Sequence, residues 1–329
     1  MEDLRNLNQV GAERKRPRYA KKHLSRQTRD YLFIVLMLAY PVLQFTLTWS
    51  FVNIQSVLNA FRSEDIYGNV TWGLANFAYF FDNLLHSTTH NSGATWINDT
   101  ALVLLNSLLI GIVTVFVSLP LSLIFSYFLH KKMPLSNVFR AIFFLPNIIP
   151  VVALTFAYKT TFDGDVGYLY NLVRALGFPD GFFGIAPYSA VMIIGYLIWA
   201  GLGYNIILFS GAIARIPQEL FEAAKLDHAG YFKEFVHVVI PCIWPTIVTL
   251  IVVGMTNVLT LYLQPLLLTS DQTAAAYTIS MSIFLDAASG MPSDYGRASA
   301  FGLLMSLIWA PIILLVRRLL SKKYEGVDY

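Results

Sequence analysis

Charge is scarce in this 329-residue chain. Asp, Glu, Lys and Arg make up 13% of it and hydrophobic residues 56%, where soluble domains carry about 25% and about 45–50%. The long apolar stretches are almost free of ionisable side chains, which argues against a carrier driven by protons or ions, since such proteins place acids and bases inside their spans. Cys242 is the only cysteine; an internal disulfide is excluded and the redox compartment stays open. No GxxxxGK[ST] phosphate loop occurs, so the chain is not expected to hydrolyse ATP by itself. The six His and one Cys show no metal-ligand spacing, and no Ser or Cys nucleophile motif is visible. No catalytic residue, metal site or cofactor site is therefore expected. Repeats of solenoid period and low-complexity tracts are also missing.

What the chain does have is apolar length. A helix needs about 20 mostly apolar residues to cross the hydrocarbon core, and six stretches qualify: 31–51, 102–129, 141–158, 188–209, 238–263 and 298–316. The third is short and interrupted by Pro146 and Pro150. A β-barrel would need short alternating segments instead of continuous runs. The first stretch is longer than a signal-peptide core, contains Pro41 and has no small-residue cleavage site close behind it, so it reads as a retained helix. The expected fold class is an all-α polytopic membrane protein with six transmembrane helices.

Basic residues orient these spans. With the N-terminus placed in the cytoplasm, all 23 Lys and Arg except Arg62, Lys159, Arg174 and Arg297 fall on the inner side. Both termini are then cytoplasmic. The expected organisation is a basic tail over 1–30, a membrane domain over 31–320 and a short tail over 321–329. The basic tail reads as a topogenic anchor drawn to anionic lipid headgroups; a nucleic-acid-binding arm is the alternative, but no aromatic interleaving or DNA-binding motif accompanies the charges, and no nucleic acid is expected as a partner. The external segment 52–100 holds an aromatic patch, Trp72, Phe77, Tyr79, Phe80 and Phe81. It reads as an amphipathic helix at the membrane interface, or else as part of a docking surface.

The most informative stretch is the inner loop over about 211–241. Pro217 suits the first position of a helix, Glu219 and Glu222 favour its early turns, and Gly230 can end it in left-handed geometry. A short helix, a turn and a second short helix leading back to the membrane follow. Small Ala223 and Ala224 permit close approach of another backbone. A chain without an engine of its own needs such a compact projection to receive a push.

Here the sequence resembles the permease subunits of binding-protein-dependent ABC importers, whose signature is the EAA loop. Glu222-Ala223-Ala224, Leu226-Asp227, Ala229-Gly230 and Ile240-Pro241 stand at the family's spacing. His228 occupies the position where the family has glycine. Further likeness is to sugar permeases: Phe139-Arg140 with Phe143-Phe144-Leu145-Pro146 and Ile149-Pro150, the Phe162–Gly167 loop, Trp199 with Gly203-Tyr204-Asn205, and Asp294–Ala300. After Thr269 the usual Gly-Gly-Pro is replaced by Ser-Asp-Gln at 270–272.

The resemblance implies a type I ABC importer permease fold in the bacterial cytoplasmic (inner) membrane. It implies a separate ABC ATPase dimer that binds ATP and Mg, a second permease subunit of different sequence, and an extracytoplasmic solute-binding protein. The loop residues Glu222, Ala223, Ala224, Asp227, His228, Gly230 and Pro241 would couple to the ATPase, with Glu222 at the contact.

For a solute path, uncharged hydrogen-bonding groups and aromatic faces suit a sugar. Asn106, Asn147, Asn205, Asn257 and Gln264 are the polar candidates, with Trp199, Tyr204 and Tyr262 beside them. Polar side chains within spans also join helices to one another, so each candidate stands equally as glue. The absence of charge in the spans favours a neutral solute over polyamine, phosphate or amino acid. An ion-coupled secondary carrier or a membrane anchor without transport would leave the loop unexplained.

Overall fold

The structure, a computed structural model, describes residues 26–64, 67–85, 99–131, 133–178, 181–183, 188–269 and 276–322. Most of the two expected tails and residues 270–272 lie outside that set. The chain divides into two units, Met1–Gln55 and Ser56–Tyr329.

The described part of the first unit is the leading portion of α1 (Arg26–Phe61). Its apolar side chains, such as Phe33, Leu36 and Phe45, are all exposed, as befits a helix bathed in lipid. Thr46 and Thr48 return their hydroxyls to the Val42 and Gln44 carbonyls at 2.8 and 2.7 Å, so these polar atoms are satisfied within the helix, as hydrocarbon requires.

The second unit continues with a hairpin of β1 (Arg62–Glu64) and β2 (Val70–Trp72), paired antiparallel with Ser63 opposite Thr71. Then come α2 (Ala75–Leu85), α3 (Asp99–His130), α4 (Ser136–Ile148), α5 (Val151–Thr161), α6 (Tyr170–Ala175) and α7 (Tyr188–Ile213). The inner loop holds α8 (Gln218–Leu226) and α9 (Tyr231–Glu234). A π-turn over Phe235–Val239 leads into α10 (Ile240–Cys242) and α11 (Trp244–Thr260). Short α12 (Leu263–Leu268) and α13 (Ile279–Ala288) precede the last long helix, α14 (Pro292–Ser321).

Among the described residues, four of the six expected spans are unbroken helices and two are not. The third is split into α4 and α5, bent by 104°. Its cause is local: Ile149 precedes Pro150 and is forced out of helical geometry to ψ 134°, because the proline ring clashes with a helical residue before it. The fifth bends by 73° where α10 meets α11. There the π-turn and two prolines, Pro241 and Pro245, interrupt the regular ladder, both recognised sources of kinks.

α3 is the central helix. The Ser122 and Ser126 hydroxyls donate to the Ser118 and Ser122 carbonyls of their own preceding turns at 2.7 and 2.6 Å and share that hydrogen with carbonyls on α7, Leu202 at 3.4 Å and Ile206 at 3.1 Å. On its other side α3 meets α11 at two reciprocal points. Gly111 lies against Val258 and Val115 against Gly254, so close that an added Cβ would sit 2.4 and 2.7 Å from the opposing valine methyl. Small residues at such crossings are how membrane helices gain contact without a hydrophobic drive. Of the aromatic patch over 72–81, Trp72 ends β2 and Phe77, Tyr79, Phe80 and Phe81 lie on α2; Phe80 turns inward against Phe301 at 5.0 Å while Trp72 and Phe81 remain exposed.

α4 rests on α7 at Gly203, where a Cβ would fall 2.1 Å from the Phe143 carbonyl oxygen. That atom is backbone and has nowhere to go. Gly203→Leu should therefore separate α4 from α7 and cost about 3 kcal/mol, the upper part of the usual overpacking range. The measurement is the thermal midpoint and yield of the solubilised protein; unchanged values would contradict this packing.

Candidate functional site

Between α3, the α4–α5 break, α7, α11 and α12 lies a cavity of about 510 Å³, within the range that holds small ligands. Its polar lining comes from Thr114 and Ser118 on α3, Asn147 on α4, Tyr196, Tyr204 and Asn205 on α7, and Asn257 and Gln264 beyond. No Asp, Glu, Lys, Arg or His lines it among the described residues. Pro146, Ile149 and Val151 also face it, so the broken backbone of the third span borders the cavity. Non-helical backbone at membrane depth is tolerated in just such a place. Asn147, Tyr204 and Asn257 stay exposed in the isolated chain, which makes the cavity a concave face open on one side.

Five of the eight pathway candidates meet here: Asn147, Tyr204, Asn205, Asn257 and Gln264. Two of them are also helix glue. The Asn147 amide donates to the Ala200 carbonyl at 3.1 Å and the Asn205 amide to the Ser118 hydroxyl at 3.3 Å. The other three are elsewhere. Asn106 is buried and donates to the Tyr277 carbonyl at 3.4 Å. Trp199 stacks on Tyr158, and Tyr262 on Phe284, at centroid separations of 6.1 and 5.1 Å. Sequence reasoning passed over Thr114, Ser118 and Tyr196. Among the described residues the buried Thr114 hydroxyl has no hydrogen-bond partner; hydroxyls in apolar helices are common, and nothing in the local pattern sets this one apart.

The second feature is the inner loop. Pro217 caps α8 instead of occupying its first turn. The helix closes with two bonds, from the His228 N–H to the Lys225 carbonyl at 3.1 Å and from the Ala229 N–H to the Ala224 carbonyl at 2.9 Å. This is the Schellman arrangement, and it needs a left-handed residue just past the cap. That residue is His228, at φ +53°. The expectation that Gly230 would supply the left-handed geometry is corrected: Gly230 is extended, at φ −69° and ψ 166°, and heads α9. A glycine at position 228 would adopt this geometry without strain. Here a histidine bears the strain, with its ring Nδ1 2.9 Å from the Leu226 carbonyl.

α8 presents two faces. Phe221 and Ala224 are buried, Phe221 within the cluster that also holds Tyr127, Phe209, Ile213 and Ile243. Glu222 and Ala223 face outward, as do Asp227 and His228. Leu226 is 81% exposed and Phe232, on α9, 78%. Leu226 and Glu222 stand one turn apart on α8, both exposed. Pro241 sits at the start of α10, where the loop returns to the bundle.

At the other end the Phe162–Gly167 loop is a tight turn. Asp163 accepts from the Asp165 and Val166 N–H groups at 2.9 and 3.1 Å, and these bonds hold its carboxyl below the ordinary carboxylate range. Arg174 closes the turn on the Gly164 carbonyl and the Asp165 carboxylate at 2.7 and 2.6 Å.

Apolar helices around a polar cavity that no charged side chain lines among the described residues, with a structured loop at one end, form the architecture of a transport permease. Residues 118–323 match the family model for the binding-protein-dependent transport system inner membrane component. The chain belongs to that family, the permeases of ABC importers. A probable ABC transporter permease, YurN of Bacillus subtilis, is 28% identical over 53% of this chain and 60% of its own length. The diacetylchitobiose uptake system permease NgcF of Streptomyces coelicolor is 28% identical over 56% of this chain and 54% of its own. The chain thus spans little more than half the length of these two relatives. A bacterial alginate ABC transporter, solved in complex with an alginate pentasaccharide-bound periplasmic protein, contains a chain of the same fold; it aligns at TM-score 0.74 and 20% identity over 91% of this chain and 98% of that one.

The His228 geometry is open to a direct test. Left-handed backbone costs a non-glycine residue about 1–2 kcal/mol, so His228→Gly should stabilise the protein by about 0.5–1 kcal/mol after the added freedom of the unfolded chain is deducted. His228→Val, branched at Cβ, should destabilise it. Opposite shifts in thermal midpoint are expected; shifts of the same sign would contradict a left-handed residue here.

Proposed function

We propose that this chain is the membrane-spanning subunit through which an ABC importer moves a neutral sugar into the bacterial cytoplasm. The observation that carries the reading is the cavity: a polar lining of hydroxyls and amides, with aromatic Tyr196 and Tyr204, and no charged side chain among the described residues. Sugar hydroxyls need hydrogen-bond partners and their ring carbons need apolar faces; an anionic or cationic solute would need a counter-charge at this depth. NgcF, a relative, is named for uptake of a disaccharide. The absence of basic groups from the cavity speaks against an acidic polysaccharide, the cargo of the transporter that shares the fold.

The open side of the cavity supports a second permease subunit. Asn147, Tyr204 and Asn257 would otherwise meet lipid, at a cost of several kcal/mol for each unsatisfied polar group; a second chain, different in sequence, completes the path. The outward face of α8, with Glu222 and Leu226, receives a separate ATPase dimer that binds ATP and Mg. On this reading α8 is cytoplasmic and both termini lie on its side, in agreement with the distribution of Lys and Arg. The turn held by Asp163 and Arg174 is then external, where an extracytoplasmic binding protein delivers the solute. Residues 1–30 and 321–329 flank the membrane domain as cytoplasmic tails.

Uptake should be measured in vesicles holding this chain with its partner subunits, using labelled neutral oligosaccharides beginning with diacetylchitobiose. Uptake should require ATP and the binding protein, and Glu222→Lys should abolish it while the complex remains inserted. Asn147→Leu and Asn257→Leu should weaken the apparent affinity about tenfold, as loss of one or two solute hydrogen bonds does, whereas Trp199→Leu should leave it within about twofold. Uptake driven by an ion gradient, or equal effects at all three positions, would sink the proposal.

A further inference from the structure

Beneath α8 lies a charged cluster that the cavity does not use. Glu234, on α9, is almost fully buried, with 4% of its side chain exposed. It pairs with Lys131, which follows the last turn of α3 and is itself mostly buried. The Tyr127 hydroxyl, one turn back on α3, lies 3.1 Å from both the Glu234 carboxylate and the Tyr231 carbonyl and can donate to either. Three aromatic rings surround the Lys131 ammonium: Phe221 from α8 at 5.1 Å, Tyr127 at 5.5 Å and Tyr231 from α9 at 5.8 Å. The ring of His130 stacks on Phe221 at 5.4 Å.

One ammonium thus touches three of the segments that meet at this end of the bundle. α3 supplies Tyr127, α8 supplies Phe221 and α9 supplies Tyr231 and Glu234. Desolvated ion pairs and cation–π contacts are short-ranged and directional. They fix position, where an apolar contact would let the surfaces slide. From Lys131, α3 runs unbroken to Ser118 in the wall of the cavity, a distance of about 20 Å at helical rise. The Ser122 and Ser126 bonds then tie it to α7, the opposite wall.

We propose that Lys131 and Glu234 form the joint through which a displacement of α8 reaches α3 and opens or closes the cavity. This rests on the reading of α8 as the ATPase contact. Lys131 and Glu234 are positioning residues: they touch neither solute nor nucleotide. α8 meets the partner with its outer face and hands the movement to α3 through Phe221, Lys131 and Glu234 on its inner face. Without the joint the ATPase would still close and still move α8, but α3 would lag behind.

The test uses the complete transporter in liposomes, with Cys242→Ser removing the single native thiol and Val253→Cys placing a reporter in the cavity wall. A membrane-impermeant maleimide added on the binding-protein side reads how open the cavity is, before and after vanadate trapping of nucleotide. In the otherwise unaltered complex trapping should speed labelling about tenfold, a coupling of ordinary size. Lys131→Met and Glu234→Gln should trap nucleotide normally yet reduce that increase to about twofold or less, and Lys131→Arg should restore it. A full increase in Lys131→Met and Glu234→Gln would overturn the joint. If Lys131→Met does not assemble, Tyr127→Phe, which removes one hydroxyl, decides: a reduced increase supports the joint and an unaltered one overturns it. A control complex that traps nucleotide without any increase, or an increase that survives Glu222→Lys, would instead bring down the reading of α8 as the ATPase contact, and the joint with it.

Discussion

Backbone polar groups within hydrocarbon must find their partners inside the protein, and the architecture is organised around two places where the helical ladder fails to provide them. The first is the α4–α5 break at Ile149 and Pro150. It occurs at the cavity, where the neighbouring Asn147 amide bonds to the Ala200 carbonyl across the interface with α7. The second is the bend at Ile243, buried in the cluster beneath the inner loop. One break shapes the cavity and the other turns the chain from loop into bundle. The long helices between them supply the rigidity against which both are held.

α3 connects these two regions. Its middle lines the cavity, its serines bind it to α7, its glycine and valine interlock with α11, and its end carries Tyr127 and Lys131 to the loop. The helix is almost uniformly apolar, yet its few polar residues each have an assignable place. Ser122 and Ser126 hold α7, Asn106 holds the segment before α13, and Thr114 and Ser118 face the cavity. In lipid a hydroxyl costs little when it can return to its own preceding turn, and its one hydrogen can be shared with a neighbouring carbonyl that lies close enough.

Several features of the fold were legible because they are local. Apolar runs long enough to span, the proline that breaks the third of them, and the helix–turn–helix of the loop all follow from neighbouring residues. Glu222 could be placed on the loop surface for the same reason, and five of the eight pathway candidates converge on one cavity because uncharged amides within spans are few. Where the reading failed, the failure was also physical. Gly230 looked like the left-handed residue because glycine adopts that geometry cheaply, but hydrogen-bond register decides which residue follows the cap, and it selects His228. Trp199 and Tyr262 lie outside the lining of the cavity, each ring stacked on a neighbour, Tyr158 and Phe284, that only the packing brings to it.

The sequence by itself determined that this is a chain of membrane helices with a structured helix–turn–helix loop over about 211–241, since span length and turn chemistry act over a few residues at a time. Only the tertiary structure decided which polar groups share a cavity and which brace helices, because two faces of one helix are indistinguishable until its neighbours are known. It alone revealed that Glu234 and Lys131, 103 residues apart in the chain, make a buried pair. In the sequence Lys131 is one more positive charge at the end of a span. Its partner is chosen by how α3 and the loop pack, and a desolvated charge acquires its role only from the groups that surround it.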